Sequence, residues 1–246
     1  MHKLITGLRK FMTSFYEAER RLFEELARGQ RPDVLFITCS DSRVVPNLFT
    51  QAKPGELFTI RNAGNIIPRP TAESSAEAGS VEYSVSAIGV KDIIICGHSD
   101  CGAMKGLLDP ASLENMPFVA QWLEHAQTTR RIISERYGDL DGADKLRRTI
   151  EINVLVQLSQ LAAHPSVASG HEAGTLRLHG WFYDIGQGVV DAYDSERGQF
   201  MPVTQLPHSH GGVDADHLSR VVARPSGTLP KNHSPSAKRS RRVQSG

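Results

Sequence analysis

Three residues of metal-binding type lie directly after two apolar runs of the sequence. Cys39 opens the run Cys-Ser-Asp-Ser-Arg after Val-Leu-Phe-Ile-Thr, and His98 and Cys101 lie in Gly-His-Ser-Asp-Cys-Gly after Ile-Ile-Ile-Cys. Two thiolates and one imidazole suit zinc, and three protein ligands leave a coordination position for water, as in catalytic zinc sites. These residue types therefore predict one catalytic Zn²⁺ per chain and a hydrolase or hydratase reaction.

The long stretch of chain between Cys39 and His98 excludes a compact zinc finger, so the fold itself must assemble such a site. Each group follows an apolar run of strand length, and parallel strands place their carboxyl ends at one edge of a sheet, where sites usually lie. The alternative is a pair of buried structural cysteines and a histidine with ordinary hydrogen bonds. Polar residues accompany both groups, which favours the metal site.

Asp41 and Arg43 add a second chemical group beside the first candidate ligand. Their spacing allows a bidentate ion pair, which would keep the carboxylate ionised and let it accept a hydrogen bond from a zinc-bound hydroxide. Two alternatives stay open: Asp41 or Ser42 caps the following helix, or Asp41 itself ligates zinc and closes the site. Asp100 is predicted to be a turn residue of the metal loop, and Cys96 a core residue.

The chain around these motifs alternates between strand and helix patterns, with short apolar runs and longer stretches of helical apolar spacing. The predicted strands are 34–38, 57–60, 92–96, 175–183 and 189–193, and the predicted helices are 11–28, 44–51 and 71–87, followed by helical residues over 117–163. This order predicts an α/β fold with a central, mostly parallel β-sheet flanked by helices and a C-terminal antiparallel hairpin extension. The expected buried face of the first helix is Phe15, Leu22, Phe23 and Leu26.

The composition is that of an ordinary globular protein. The 246 residues are 39% hydrophobic and 22% charged, and the formal net charge of +1 gives no general attraction to nucleic acid or anionic membranes. No stretch has the length of a transmembrane helix, and the N-terminus lacks the apolar core of a secretion signal. Three cysteines are too few for a disulfide framework, so we expect a cytoplasmic protein.

One catalytic domain is expected over residues 1–206, beginning with a helical arm over about 1–30. Residues 207–246 are rich in His, Ser, Gly, Pro, Lys and Arg and contain few large apolar residues, which predicts a disordered tail. The basic cluster at 238–242 is expected to be solvated rather than to bind nucleic acid or a membrane.

Together these motifs resemble the β-class carbonic anhydrases, whose pattern is Cys-x-Asp-x-Arg followed by His-x-x-Cys. The likeness covers roughly residues 5–205 and includes Lys-Pro-Gly-Glu-Leu-Phe at 53–58, Arg-Asn-Ala-Gly-Asn at 61–65 and Val-Glu-Tyr at 81–83. The segment Leu-His-Gly-Trp-Phe-Tyr-Asp at 178–184 is similar to the bacterial enzymes encoded beside cyanase. The resemblance implies the fold of this class and the reversible hydration of carbon dioxide to bicarbonate and a proton.

The same resemblance implies roles for the motif residues. Cys39, His98 and Cys101 would be the zinc ligands, and Asp41 with Arg43 would orient the hydroxide that attacks the substrate. Family members pair as homodimers, often stacked into higher oligomers, and their active sites use residues from both subunits. The expected partners are therefore carbon dioxide or bicarbonate and further copies of the chain, with no nucleic acid and no membrane.

Five further positions match the substrate pocket of the plant-like branch of the family, namely Gln30, Phe58, Ala63, Tyr83 and Gly102. Gln30 would hydrogen-bond a bicarbonate oxygen, and Phe58 and Tyr83 would form apolar walls suited to carbon dioxide. The alternative for these side chains is ordinary core packing.

Two other functions stay open for the same residues. One is the hydrolysis of carbonyl sulfide or carbon disulfide, which needs the same metal and differs only in pocket shape and access. The other is a non-catalytic zinc-binding protein in which Asp41 is a permanent fourth ligand. The intact pair of Asp41 and Arg43 disfavours this second alternative.

Overall fold

The computed structural model describes residues 1–71, 75–207 and 212–223. In this part of the chain the strands form one six-stranded sheet with the order β2-β1-β3-β4-β5-β6. The strands are β1 (Val34–Cys39), β2 (Leu57–Asn62), β3 (Asp92–His98), β4 (Arg177–Asp184), β5 (Val189–Asp194) and β6 (Gln199–Pro202). The first four strands are parallel and the last two are antiparallel, which confirms the predicted α/β fold and its C-terminal hairpin.

Helices cover the sheet and precede it as an N-terminal arm. The α-helices are α1 (His2–Lys10), α2 (Tyr16–Ala18), α3 (Arg20–Leu26), α4 (Pro46–Thr50), α5 (Ala76–Glu82), α6 (Gly102–Leu108), α7 (Pro117–Leu123), α8 (Gln127–Arg136), α9 (Gly142–Ala162), α10 (Pro165–Glu172) and α11 (Ala215–Ala223). The π-helical turns are Phe11–Phe15 and Tyr83–Ile88, and the 3₁₀ turns are Pro110–Leu113, Glu124–Ala126 and Val203–Gln205. Of the helices described, none is both long and apolar enough to cross a membrane.

The strands that carry the metal motif are longer than their apolar runs. The run after Asp92 predicts a strand that ends at Cys96, but β3 continues through His98, because the pairing with β4 extends to His98 opposite Tyr183. On its other side β3 pairs with β1, with Thr38 opposite Cys96. This register brings the carboxyl ends of β1 and β3 together at one edge of the sheet.

Helix α9 lies in close contact with β3 and β4. Two glycines allow this approach, since a Cβ atom at Gly97 would lie 2.6 Å from the side chain of Ile150, and one at Gly180 would lie 3.0 Å from Val154. Most of the helix is buried, including Leu155 and polar residues described below. Each buried aliphatic side chain contributes roughly 1.5–3 kcal/mol, so α9 and the sheet form the centre of the core.

The N-terminal arm differs from its prediction. Helices α1, α2 and α3 bury no residue, and Phe15 is 49% exposed, so the expected buried face is wrong. The aromatic rings of the arm instead pack on each other, with Phe11 and Phe23 at 5.6 Å between ring centroids. Apolar periodicity predicts that a helix has an apolar face, but it does not identify the surface that covers that face.

The expectation of disorder beyond residue 207 is wrong for α11. Leu218 is fully buried, and α11 packs on α9. The Asp214 carboxylate accepts hydrogen bonds from the backbone N–H groups of Asp216 and His217, which caps the helix. Arg136 closes its other end by donating to the carbonyl groups of residues 221 and 222. The remainder of the predicted tail, including the basic cluster at 238–242, lies outside the described residues.

Candidate active site

Three side chains converge at the carboxyl edge of the sheet. Cys39 is the last residue of β1, His98 is the last residue of β3, and Cys101 directly precedes α6. One ligand atom from each residue lies within 4.8 Å of the other two, and all three residues are buried. The two groups of candidate ligands, distant in sequence, therefore meet as the strand register requires.

The hydrogen bonds of His98 leave one ring nitrogen available to a metal ion. Its Nδ1 lies 2.9 Å from the carbonyl oxygen of Ser99, which can only accept, so Nδ1 carries the proton. Its Nε2 is buried and has no hydrogen-bond partner among the described residues. A buried nitrogen with a free lone pair beside two sulfurs matches the donor set of a zinc site, so these residues fit the ion.

The two candidate sulfur ligands are electrostatically coupled. The hydrogen bond between them lowers the pKa of Cys39 to about 4 and raises the pKa of Cys101, while burial raises both. Cys39 is therefore the more acidic of the two thiols. Cys96 behaves differently, because complete burial raises its pKa and its thiol donates to the Gly97 carbonyl, as expected of a core residue.

Asp41 and Arg43 form the predicted bidentate pair. The guanidinium donates from Nε to Oδ1 at 2.9 Å and from Nη2 to Oδ2 at 2.7 Å, and these bonds hold the pKa of Asp41 well below its usual range. Oδ2 also lies 4.0 Å from His98 Nε2. The capping alternative is wrong, since α4 begins after Val45 without a side-chain cap. Asp41 lies outside the three-residue ligand group.

Asp100 has a role that the sequence did not suggest. It is a turn residue, as expected, with a left-handed φ of 60°. Its carboxylate also accepts a hydrogen bond from Arg43 Nη1 at 3.1 Å and forms an ion pair with Lys105. Arg43 is thus held between two carboxylates, one on each side of the site. In the sequence, the only indication of this contact is that Asp100 is an acidic residue between two candidate metal ligands.

Arg61 at the end of β2 was also missed as a structural partner of the site. Its Nε donates to the carbonyl oxygen of Cys39 at 3.1 Å, and its Nη2 donates to that of Asp41 at 2.7 Å. These bonds fix the backbone that carries the first ligand and the carboxylate. The only signal was its place in the Arg-Asn-Ala-Gly-Asn motif.

Some of the predicted substrate residues lie close to each other or to the candidate ligands, whereas Gln30 lies exposed. Phe58 and Tyr83 lie together, with ring centroids 6.1 Å apart, although Tyr83 is 52% exposed. Ala63 precedes a glycine whose N–H contacts the Cys39 sulfur, and Gly102 follows Cys101 as the first residue of α6. Gln30 is exposed between the arm and β1. The roles of these five residues in substrate binding stay predictions.

Comparisons with known proteins agree with this geometry. The sequence model of the carbonic anhydrase family matches residues 34–190. The structure of the beta-carbonic anhydrase CcaA superposes with a TM-score of 0.82 at 46% identity and covers 87% of this chain and 94% of that one. The chain belongs to the β-class carbonic anhydrases. It is therefore an enzyme of the family that hydrates carbon dioxide.

Two other relatives show the range of this similarity. The carbonic anhydrase of Synechocystis sp. is 48% identical over 202 residues, which is 82% of this chain and 74% of the relative. One of two tetrameric β-carbonic anhydrases of Sordaria macrospora is 28% identical, with a TM-score of 0.71 over 78% of this chain and 95% of that one. The family match covers β1 to β4 and ends at the beginning of β5.

Proposed function

We propose that this carbonic anhydrase catalyses the zinc-dependent, reversible hydration of carbon dioxide to bicarbonate and a proton. The observation that carries the proposal is the Nε2 of His98, which is buried without a hydrogen-bond partner in the described part of the chain and lies beside two cysteine sulfurs and an arginine-bound carboxylate. Cys39, His98 and Cys101 would hold one Zn²⁺ per chain. When bound there, zinc acidifies water so that a nucleophile is available near neutral pH.

Asp41 orients the reactants through its charge. Because Arg43 occupies both carboxylate oxygens with donors, Asp41 stays ionised and can only accept hydrogen bonds. A water-derived nucleophile that still carries a proton can donate to Asp41, whereas carbon dioxide, which has no proton, cannot. The carboxylate therefore turns the nucleophile's lone pair toward the carbon of the substrate.

The pocket residues supply weak but selective binding. Phe58 and Tyr83 offer apolar ring surface to carbon dioxide, Ala63 and Gly102 leave space beside the ligands, and Gln30 is the candidate donor to a bicarbonate oxygen. The proximity of the two rings supports this assignment. Since Tyr83 is half exposed and Gln30 lies at the end of the arm, a complete pocket is expected only in an oligomer.

We expect a homodimer or a higher oligomer. The arm exposes apolar side chains at helical spacing, with Leu4 70% and Leu8 58% exposed, and such a stripe is typical of a surface that packs on another chain. The tetrameric relatives from Sordaria macrospora support the same expectation. Analytical ultracentrifugation of the full chain should give a dimer or larger species, and Leu8→Glu should shift it toward monomer; a monomeric wild type would contradict this.

A cytoplasmic location is part of the proposal, because Cys39, Cys96 and Cys101 are all free thiols. Among the residues that the structure describes, no feature of the pocket favours carbonyl sulfide or carbon disulfide as the substrate.

Stopped-flow hydration of carbon dioxide by zinc-loaded protein tests the proposal. The wild type should accelerate the reaction, and Cys101→Ser should fall toward the uncatalysed rate because it removes one sulfur ligand. Background activity despite one bound zinc per chain would contradict the proposal and favour the non-catalytic zinc protein.

A further inference from the structure

A row of buried polar side chains on α9 and just beyond it faces the loop that follows β2. Asn153 and Gln157 lie one helical turn apart and are 1% and 0% exposed, and His164 beyond the helix is 4% exposed. Polar groups so deeply buried are destabilising unless they are hydrogen-bonded. Their hydrogen-bond partners therefore show which part of the chain these side chains position.

The partners are backbone groups of residues 63–68. Asn153 Nδ2 donates to the Gly64 carbonyl at 2.9 Å, the Gln157 side-chain carbonyl accepts from the Ile67 N–H at 2.8 Å, and His164 Nε2 donates to the Pro68 carbonyl at 3.0 Å. The orientation of the Asn153 amide is fixed, because its Oδ1 accepts from Thr129 at 3.2 Å and from Gln157 at 3.1 Å.

This loop contacts the metal cluster through one amide group. The Gly64 N–H donates to Cys39 Sγ at 3.4 Å, and the carbonyl of the same peptide unit, that of Ala63, accepts from Trp122 Nε1 at 2.8 Å. Asn153 holds the next peptide unit. Both peptide units that flank the Gly64 Cα atom are thus fixed by buried or half-buried side chains from other elements.

The position requires glycine. Its φ is +83°, and a Cβ atom there would lie 3.0 Å from the side chain of Met104 and 3.1 Å from that of Ala103. A larger residue would be strained and would crowd α6, so the amide could not reach the sulfur in the same way. The left-handed turn, the two donors and the thiolate form one connected arrangement.

We propose that Asn153 and Trp122 are positioning residues that hold the Gly64 amide on the Cys39 sulfur and so limit how much charge this sulfur donates to the metal ion. Two thiolates formally neutralise a divalent cation, and an N–H group hydrogen-bonded to one of them leaves more positive charge on the metal. Partners that act through a ligand in this way tune a metal centre strongly. The inference rests on the proposed metal site.

Cobalt(II) substitution tests this inference, because sulfur-to-cobalt charge-transfer absorption reports the donor strength of the thiolates. Trp122→Phe keeps an aromatic ring in α7 and removes only the N–H donor, and Trp181→Phe makes the same change in β4. Asn153→Ala removes the second donor, and its control is Gln160→Ala, since Gln160 donates instead to the His125 carbonyl.

The band should move to lower energy in Trp122→Phe and Asn153→Ala, while both controls keep the wild-type band. Hydration activity of the zinc forms of the two test variants should fall roughly tenfold. If Asn153→Ala does not fold, Trp122→Phe alone still tests the inference. A bound cobalt ion with an unmoved band in the test variants, or equal shifts in the controls, would overturn the inference alone. A wild type without any sulfur-to-cobalt band would overturn the proposed metal site and the inference with it.

Discussion

A histidine and an aspartate lie next to each other at each end of strand β3. These two His–Asp pairs differ in how completely their side chains are hydrogen-bonded. At the amino end, Asp92 Oδ1 accepts from His179 Nε2 at 2.8 Å. At the carboxyl end, His98 Nε2 lies 4.0 Å from Asp41 Oδ2, beyond hydrogen-bond distance. The residue types are the same, but only the second pair leaves a buried nitrogen without a partner among the described residues.

The remaining partners explain the difference. Arg177 donates two hydrogen bonds of 2.7 Å to Asp92, so that carboxylate has several donors and the cluster is closed. Arg43 satisfies Asp41 in the same bidentate way but leaves His98 facing two sulfurs. These hydrogen bonds of the Asp92 carboxylate come from β4 and connect two strands. The cluster around His98 still has a nitrogen and two sulfurs that can bind a ligand. The two ends of β3 therefore differ in how many of their polar atoms are hydrogen-bonded, and not in the types of residue that they contain.

The largest expected contrast is between the two histidines. His98→Ala removes a proposed metal ligand, and we expect carbon dioxide hydration to fall by more than about 100-fold together with the zinc content. His179→Ala should leave hydration within about twofold, since His179 pairs with Ile94 near the amino ends of β3 and β4, away from the carboxyl ends that carry the site. Stopped-flow assays with metal analysis of both variants measure the contrast. Equal losses of hydration activity in the two variants would contradict the difference in role between the two histidines.

Asp41→Asn sharpens the comparison by changing charge without changing shape. The amide no longer offers two acceptor oxygens to Arg43 and the nucleophile, so we expect kcat/KM to fall roughly 100-fold while zinc stays bound. The matching variant Asp92→Asn should keep wild-type kcat/KM. Full activity in Asp41→Asn would show that the carboxylate charge does not orient the nucleophile.

Asp92 should contribute to stability in a pH-dependent way. Burial raises its pKa, but the hydrogen bonds from His179 and Arg177 outweigh burial and hold the pKa well below its usual range. A lowered pKa stabilises the fold above about pH 4, the unfolded value, and this contribution is lost as pH falls through the folded value. Asp92→Asn should lower the unfolding free energy by roughly 2 kcal/mol at pH 7.

Urea unfolding of Asp92→Asn at pH 7 and in acid checks this prediction, because the difference from wild type should shrink steadily below pH 4. A difference that stays constant with pH would mean that packing, rather than the carboxylate charge, provides the stability. Both proteins must unfold reversibly in one transition for the comparison to hold.

The smallest expected effect concerns the outer carboxylate of the site. Asp100→Asn weakens the second contact of Arg43, but both side chains are about half exposed, so the loss in kcat/KM should stay below about fivefold. High salt should reduce the difference between variant and wild type, because exposed ion pairs are screened. A loss as large as that of Asp41→Asn would place Asp100 among the groups that orient the nucleophile.

The sequence predicts the convergence of the three candidate ligands well, because strand register is a regular property. Once Cys39 and His98 end neighbouring parallel strands, their convergence follows. Contacts of long side chains from separate loops are not regular, so the bond from Arg43 to Asp100 could not be predicted. The same holds for the row of amides on α9, whose period shows a buried face but not the backbone groups that it meets.

The errors at the two termini have different causes. The apolar face of the arm was recognised, but which surface covers it depends on tertiary or quaternary packing, and Phe15 is exposed in the single chain. Helix α11 was missed because its surroundings are polar, although Leu218 and residues 221 and 222 have helical spacing after the cap Asp214. This short pattern in a polar segment was a usable signal.

Gly97 and Gly180 together set how closely α9 approaches the sheet. Asn153 lies on the helix between Ile150 and Val154, and a methyl group at Gly97 would strike both of these residues. A methyl group at Gly180 would strike Val154 and Leu158. Even alanine at Gly97 would force α9 outward, and every amide on that helix would move away from the loop beside the cysteine ligand. Substitution of either glycine would therefore disturb the contacts around the proposed metal site, although neither residue is one of its candidate ligands.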